Sequence, residues 1–95
     1  MAREPIHPGE ILADELTELG ISAAELARQI KVPANRISQI ISGKRSITAD
    51  TALRLGKWFG TGPIIWLNLQ QAYDLDVATL EMGSDLDIIE PRNAA

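Results

Sequence analysis

The sequence predicts an all-α protein of about five short helices followed by a short acidic C-terminal tail. Three observations carry this. Apolar residues recur at helical spacing in successive segments, Gly and Pro punctuate those segments, and no strand-like alternation occurs through residue 76. The intervening stretches are short, as in a compact helical body.

The first helix starts at His7-Pro8-Gly9-Glu10. Proline suits the first helical turn, and Glu10 favours the positive end of the helix dipole. Ile11, Leu12, Leu16 and Leu19 then share one face, Asp14, Glu15 and Glu18 the other, and Gly20 supplies a C-terminal cap. Ser22 and Glu25 form a capping box for a second helix with Leu26, Ala27 and Ile30 inward. Pro33 breaks that helix and biases Val32 towards an extended conformation. A third helix can begin at Pro33, with Ile37, Ile40 and Ile41 inward and Gly43 as its stop. Thr48 is the candidate N-cap of a fourth, with Asp50 in its first turn and Ala52, Leu55, Trp58 and Phe59 as its stripe. Gly60 closes it. Gly62-Pro63 opens a fifth containing Ile65, Trp66, Leu69, Ala72 and Tyr73.

After Asp76 the texture changes. Residues 77–95 are acidic and lack aromatics; Gly83-Ser84-Asp85 and Pro91 to Ala95 have the composition of flexible chain. Leu86 to Ile89 could pair as a short strand. The expected organisation is a folded body over residues 1–76 and a tail over 77–95.

The chain has 95 residues, enough for one small domain, and its modest core makes oligomerisation a reasonable source of further buried surface. There is no cysteine, which excludes a disulfide framework, a cysteine-ligated zinc site and a thiol nucleophile, and fits a reducing cytoplasm. No run approaches the ~18 apolar residues of a membrane helix, and Met1 to Pro5 lacks the apolar stretch of a signal peptide.

The net charge of −4 looks wrong for a polyanion binder until its distribution is read. Residues 28–57 hold seven of the nine basic side chains against a single acid, Asp50, for a local charge of +6. Each flank carries one base and six acids. A basic block between acidic flanks is expected where one face meets a polyanion.

Glu25 to Ile40 carries the functional signal: two short helices separated by a tight turn must cross steeply. Ala27 supplies the small residue at the crossing; Leu26, Ile30, Ile37 and Ile41 supply apolar anchors; Val32 plugs the corner. With that inner face used, the third helix presents Ala34, Asn35, Arg36, Ser38 and Gln39 outward. Arg can bind guanine bidentately, and Asn or Gln adenine, so Ala34, Asn35, Arg36 and Gln39 are the candidate base readers of double-stranded DNA. Arg28, Ser38, Lys44, Arg45 and the helix start at Thr48 are the candidate phosphate contacts. A helical bundle with a merely solvated polar face is the plain alternative; charge, spacing and outer-face chemistry together weigh against it.

His7 stands alone, without cysteines or a carboxylate cluster, so it is expected to cap or to lie at the surface rather than bind a metal. Trp58, Trp66 and Tyr73 are expected in the core, with some of them at a subunit interface. One histidine, no cysteine and no clustered carboxylates provide no catalytic set, and no cofactor is implied.

Taken together, His7 to Glu10, the helix-turn-helix, Gly43 to Leu55 and Trp66 to Gln70 resemble HigA-type antitoxins of the Xre/Cro-like (lambda-repressor-like) helix-turn-helix superfamily, over residues 6–76. Some members are labelled virulence-associated protein I. The resemblance implies a dimeric cytoplasmic antitoxin that represses its own promoter at an inverted-repeat operator. It also implies neutralisation of a HigB-type toxin, a small basic ribonuclease that cleaves mRNA, and the acidic flanks would suit such a partner. The dimer contact is expected on the fifth helix, at Trp66, Leu69 and Tyr73. A stand-alone repressor without a toxin is the alternative. Two departures stand out: Lys31 where the turn usually has glycine, and Pro33 where serine or threonine usually caps the recognition helix.

Overall fold

The computed structural model describes residues 4–92. The last three residues of the expected flexible end therefore lie outside the described residues. Five α-helices follow one another: α1 (Pro8–Leu19), α2 (Ala23–Ile30), α3 (Ala34–Ile41), α4 (Ala49–Phe59) and α5 (Ile64–Met82). A single 3₁₀ turn, Asp85–Ile88, follows them.

The helix ends obey local chemistry. His7 Nδ1 accepts the Gly9 N–H at 2.9 Å, so the histidine is the N-cap of α1. Ser22 Oγ accepts the Glu25 N–H at 3.1 Å, the first half of the expected capping box. Gly20 and Gly60 close α1 and α4 in the left-handed conformation. Lys31 closes α2 in the same conformation, at φ 66°, the one non-glycine residue with positive φ among those described. Side chains resist this region, so the turn needs support from elsewhere.

The core gathers Leu12 and Leu16 of α1, Leu26, Ala27 and Ile30 of α2, and Ile37 and Ile40 of α3. Ile47, Ala52, Leu55 and Trp66 complete it. Two glycines allow close backbone approach. A Cβ on Gly9 would collide with the Ile40 carbonyl, which brings α1 onto the end of α3. A Cβ on Gly56 would collide with the Gly62 backbone, which folds α5 tightly back after α4.

A polar seam crosses this core. The buried Gln70 side chain accepts the Ile47 N–H at 2.7 Å and donates to Asp74 at 2.9 Å. It thereby ties the loop after α3 to α5. His7 is also buried, edge-to-face against Tyr73 with ring centroids 4.8 Å apart. Burial lowers its pKa below the ordinary value, while Glu10, Asp74 and the Arg45 backbone pull the other way.

Two expectations are corrected. The helical body was to end at residue 76, but α5 continues to Met82. No helix breaker stands between Asp76 and Gly83, and the acidic side chains do not prevent helix formation. The expected strand at Leu86 to Ile89 is instead the 3₁₀ turn. Its bonds are local, Asp87 N–H to the Ser84 carbonyl and Ile89 N–H to that of Leu86, and the described residues contain no strand for it to pair with. No helix among the described residues is long and apolar enough to cross a membrane.

Candidate nucleic-acid interface

The buried pair Ile37 and Ile40 sets the rotation of α3. At about 100° per residue, the direction opposite that pair is occupied by Asn35, Ser38 and Ser42, with Ala34 and Gln39 on either side. Ala34, Asn35, Ser38 and Ser42 are exposed and Gln39 is half-buried. The Ser38 hydroxyl donates to the Asn35 carbonyl at 3.3 Å, and the Ser42 hydroxyl to that of Gln39 at 3.1 Å. Gln39 Oε1 accepts from Arg45 Nε at 2.9 Å. The loop arginine and the helix glutamine thus form one connected pair, with both Gln39 amide hydrogens left to donate.

Arg36 departs from its expected place. It sits on the flank of α3 that faces α4, half-buried, and its Nη1 donates to Asp50 Oδ2 at 2.5 Å. The expectation that it lies free on the outer face is corrected: one position before the buried Ile37 and three before Gln39, Arg36 is carried round by the helical turn towards α4. Arg54 donates to the same Asp50 oxygen at 3.1 Å, and to the carbonyls of Ile30 at 2.8 Å and Lys31 at 3.3 Å. The two guanidiniums, Arg36 first, hold the Asp50 carboxyl below its usual pKa.

Around this face, Lys44, Arg45 and Thr48 are exposed and adjacent in the loop that leads into α4. Thr48 occupies the N-cap position of α4 without a side-chain cap bond, so its hydroxyl remains available. Arg28 is exposed and pairs with Glu25 one turn earlier. Among the described residues, no carboxylate pairs with Lys31, Lys44 or Lys57. Of the expected phosphate contacts, Ser38 is thus on the outer face of α3, Lys44, Arg45 and Thr48 are in the loop that follows it, and Arg28 is on α2.

The expected dimer contacts divide. Trp66 is 4% exposed and packs on Phe59 at 5.4 Å, so it belongs to the core of one chain and offers no free surface. Its ring is one turn from Gln70 on the inner side of α5, a rotation that the sequence did not reveal because the apolar residues of this helix are spread around it rather than gathered in one stripe. Its indole N–H is buried without a partner among the described residues. Leu69 and Tyr73 are half-buried. They line, with Ile6, Ile11 and Ala72, a shallow apolar cleft between α1 and α5 that continues to Ile65. Trp58, half-buried, donates its indole N–H to Gln29 Oε1 at 2.7 Å.

Sequence reasoning missed three participants. Asp50 was read only as a first-turn acid, although its spacing of four from Arg54 was a readable pairing signal. Gln70 and Ile47 meet across 23 positions and left no local trace. Among the described residues, no three His, Cys, Asp or Glu side chains gather as a metal would require.

The helix-turn-helix family model matches residues 12–67. Virulence-associated protein I of Dichelobacter nodosus is 49% identical over 87 residues, covering 90% of this chain and 80% of that protein. An addiction module antidote protein of a HigA family from Coxiella burnetii superposes with a TM-score of 0.92 at 52% identity, covering 95% of this chain and all of that one. Pseudomonas aeruginosa antitoxin HigA, solved with the higBA promoter, superposes with a TM-score of 0.88 at 48% identity, covering 93% and 98% of the two chains.

Proposed function

This chain belongs to the helix-turn-helix family, in its HigA-type antitoxin branch, and on that premise we propose that it is a dimeric autorepressor and antitoxin. It binds an inverted-repeat operator in its own promoter and neutralises a HigB-type ribonuclease toxin in the cytoplasm. The observation that carries the DNA-binding part is the outer face of α3. Ala34, Asn35, Ser38 and Ser42 are exposed there with Gln39 half-buried at their edge, beside a loop whose Lys44 and Arg45 are exposed and pair with no carboxylate among the described residues. The relative solved with a promoter has nearly the same fold.

In this reading, Asn35 and Gln39 read base edges, and Ala34 gives the apolar contact that suits a thymine methyl. Arg28, Ser38, Lys44, Arg45 and the Thr48 end of α4 hold phosphates and fix register. Two copies meet along the cleft edge formed by Ile6, Ile11, Ile65, Leu69 and Ala72, with Tyr73 at its border. Twofold symmetry then sets the two recognition helices about 34 Å apart, in successive major grooves. The acidic surfaces of α1 and of the chain after α5 are complementary to a basic toxin. The whole activity is binding, and no residue is assigned a catalytic role.

The experiment titrates a labelled fragment of the gene's upstream region, beside a scrambled fragment, at two salt concentrations. Tight, salt-sensitive binding of two chains to the upstream fragment alone is the expected result. Asn35→Ala should cost about 1–3 kcal/mol of operator preference. Lys44→Ala should weaken both fragments alike and flatten the salt dependence by about one unit. Equal binding to the two fragments by the unaltered protein sinks the repressor reading. Repression without a toxin gene beside this one leaves a stand-alone repressor.

A further inference from the structure

We infer that Asp50 is a positioning residue for the recognition helix: through Arg36 and Arg54 it sets the tilt of α3, and with it the preference for one DNA sequence over another. The inference rests on the DNA-binding reading above.

The need for such a device is visible at the start of α3. Its N-cap is Pro33, which has no side-chain cap bond. The turn before it passes through Lys31 in the left-handed conformation, which side chains disfavour. α3 packs mainly on α2 and α1, so its seating against α4 leans on fewer contacts.

The Asp50 carboxylate ties α3 to α4. One of its oxygens takes Arg36 Nη1 of α3 and Arg54 Nε of α4. Arg54 reaches on to the carbonyls of Ile30 and Lys31, the strained turn itself. A continuous path therefore runs from the turn, through Arg54 and Asp50, to Arg36 and back into α3. Both guanidiniums are partly sheltered, with side-chain exposures of 28% and 39%. Without the carboxylate they would repel each other, and Arg36 would be free to swing towards a phosphate. The two guanidiniums also keep the carboxyl ionised to lower pH than usual, so the relay is intact throughout the range in which DNA binding is measured.

Asp50→Asn, nearly isosteric at an exposed position, tests this. Freed from the carboxylate, Arg36 adds a phosphate contact. Scrambled-DNA affinity should therefore rise, with a salt dependence steeper by about one unit. Operator preference should fall about tenfold because α3 is no longer held at one tilt. A residue that only stabilised the fold would lower both affinities together. In Arg36→Ala protein, adding Asp50→Asn should cost no more preference than the larger single loss, because the two side chains act as one unit. Amide hydrogen exchange provides a readout without DNA: residues 31–36 should exchange about tenfold faster in Asp50→Asn, with α1 unchanged. Additive losses, or parallel loss of operator and scrambled binding, would overturn the relay. Unchanged exchange at 31–36 would do so as well, even if the unaltered protein showed no operator preference and the DNA-binding reading itself had failed.

Discussion

α3 and α5 both turn a face away from the core, and the two faces differ in kind. α3 buries Ile37 and Ile40 and shows water a polar row from Asn35 to Ser42. α5 buries only Trp66 and Gln70 along 19 residues, while Ile64, Ile65, Leu75 and Leu80 are each at least 50% exposed. A polar outer face can rest in water until a polar ligand replaces that water. An apolar one gains only from being covered. The difference suits the proposed function, in which α3 meets nucleic acid and α5 meets protein.

Charge placed on the α5 edge should have the largest effect. In a twofold dimer each substitution enters twice, and covering a leucine or isoleucine is worth about 1.5–3 kcal/mol. Ile65→Glu should therefore weaken self-association at least 100-fold while the helices remain folded, read by sedimentation and circular dichroism. A dimer that survives would move the protein-binding face elsewhere. Next comes the inner face of α3. Ile37 is fully buried, and Ile37→Ala should cost about 2–5 kcal/mol in denaturant unfolding. A smaller loss would mean that the site collapses around the deletion. Gln70→Leu tests the joint between the two helices. It leaves the Ile47 N–H buried without a partner and should cost about 1–3 kcal/mol. It should also weaken DNA binding by loosening the loop that carries Lys44 and Arg45.

The smallest expected effect is one of pH. Folding keeps His7 neutral, with its pKa lowered chiefly by burial. The unfolded chain therefore takes up the proton first. Stability from this site is complete above the ordinary histidine value of about 6.5 and declines as pH falls below it. Thermal unfolding from pH 7.5 to 5 should show this decline, and His7→Asn should reduce it. A slope unchanged by the substitution would assign the dependence to other groups.

Much of this was legible along the chain. The five helices, the caps at His7 and Ser22, and the inward set of α2 and α3 follow from periodicity and from interactions spanning only a few residues. The outward placement of Asn35, Ser38 and Gln39 followed once Ile37 and Ile40 were assigned inward. Arg36 was misplaced because its flank position depends on which helix lies beside it. Trp66 was assigned to an interface because apolar and polar residues are intermixed around α5, which therefore gives little sign of its own rotation.

The helix-turn-helix and its basic surroundings were already present in the order of the residues, because helix periods, caps and charge are local properties. The partners of Arg36, Gln70 and Trp66 were decided only when the helices packed. Asp50 lies 14 positions from Arg36, and Ile47 lies 23 from Gln70. At such separations no local pattern specifies which side chains meet, because the directions of the packed helices bring them together.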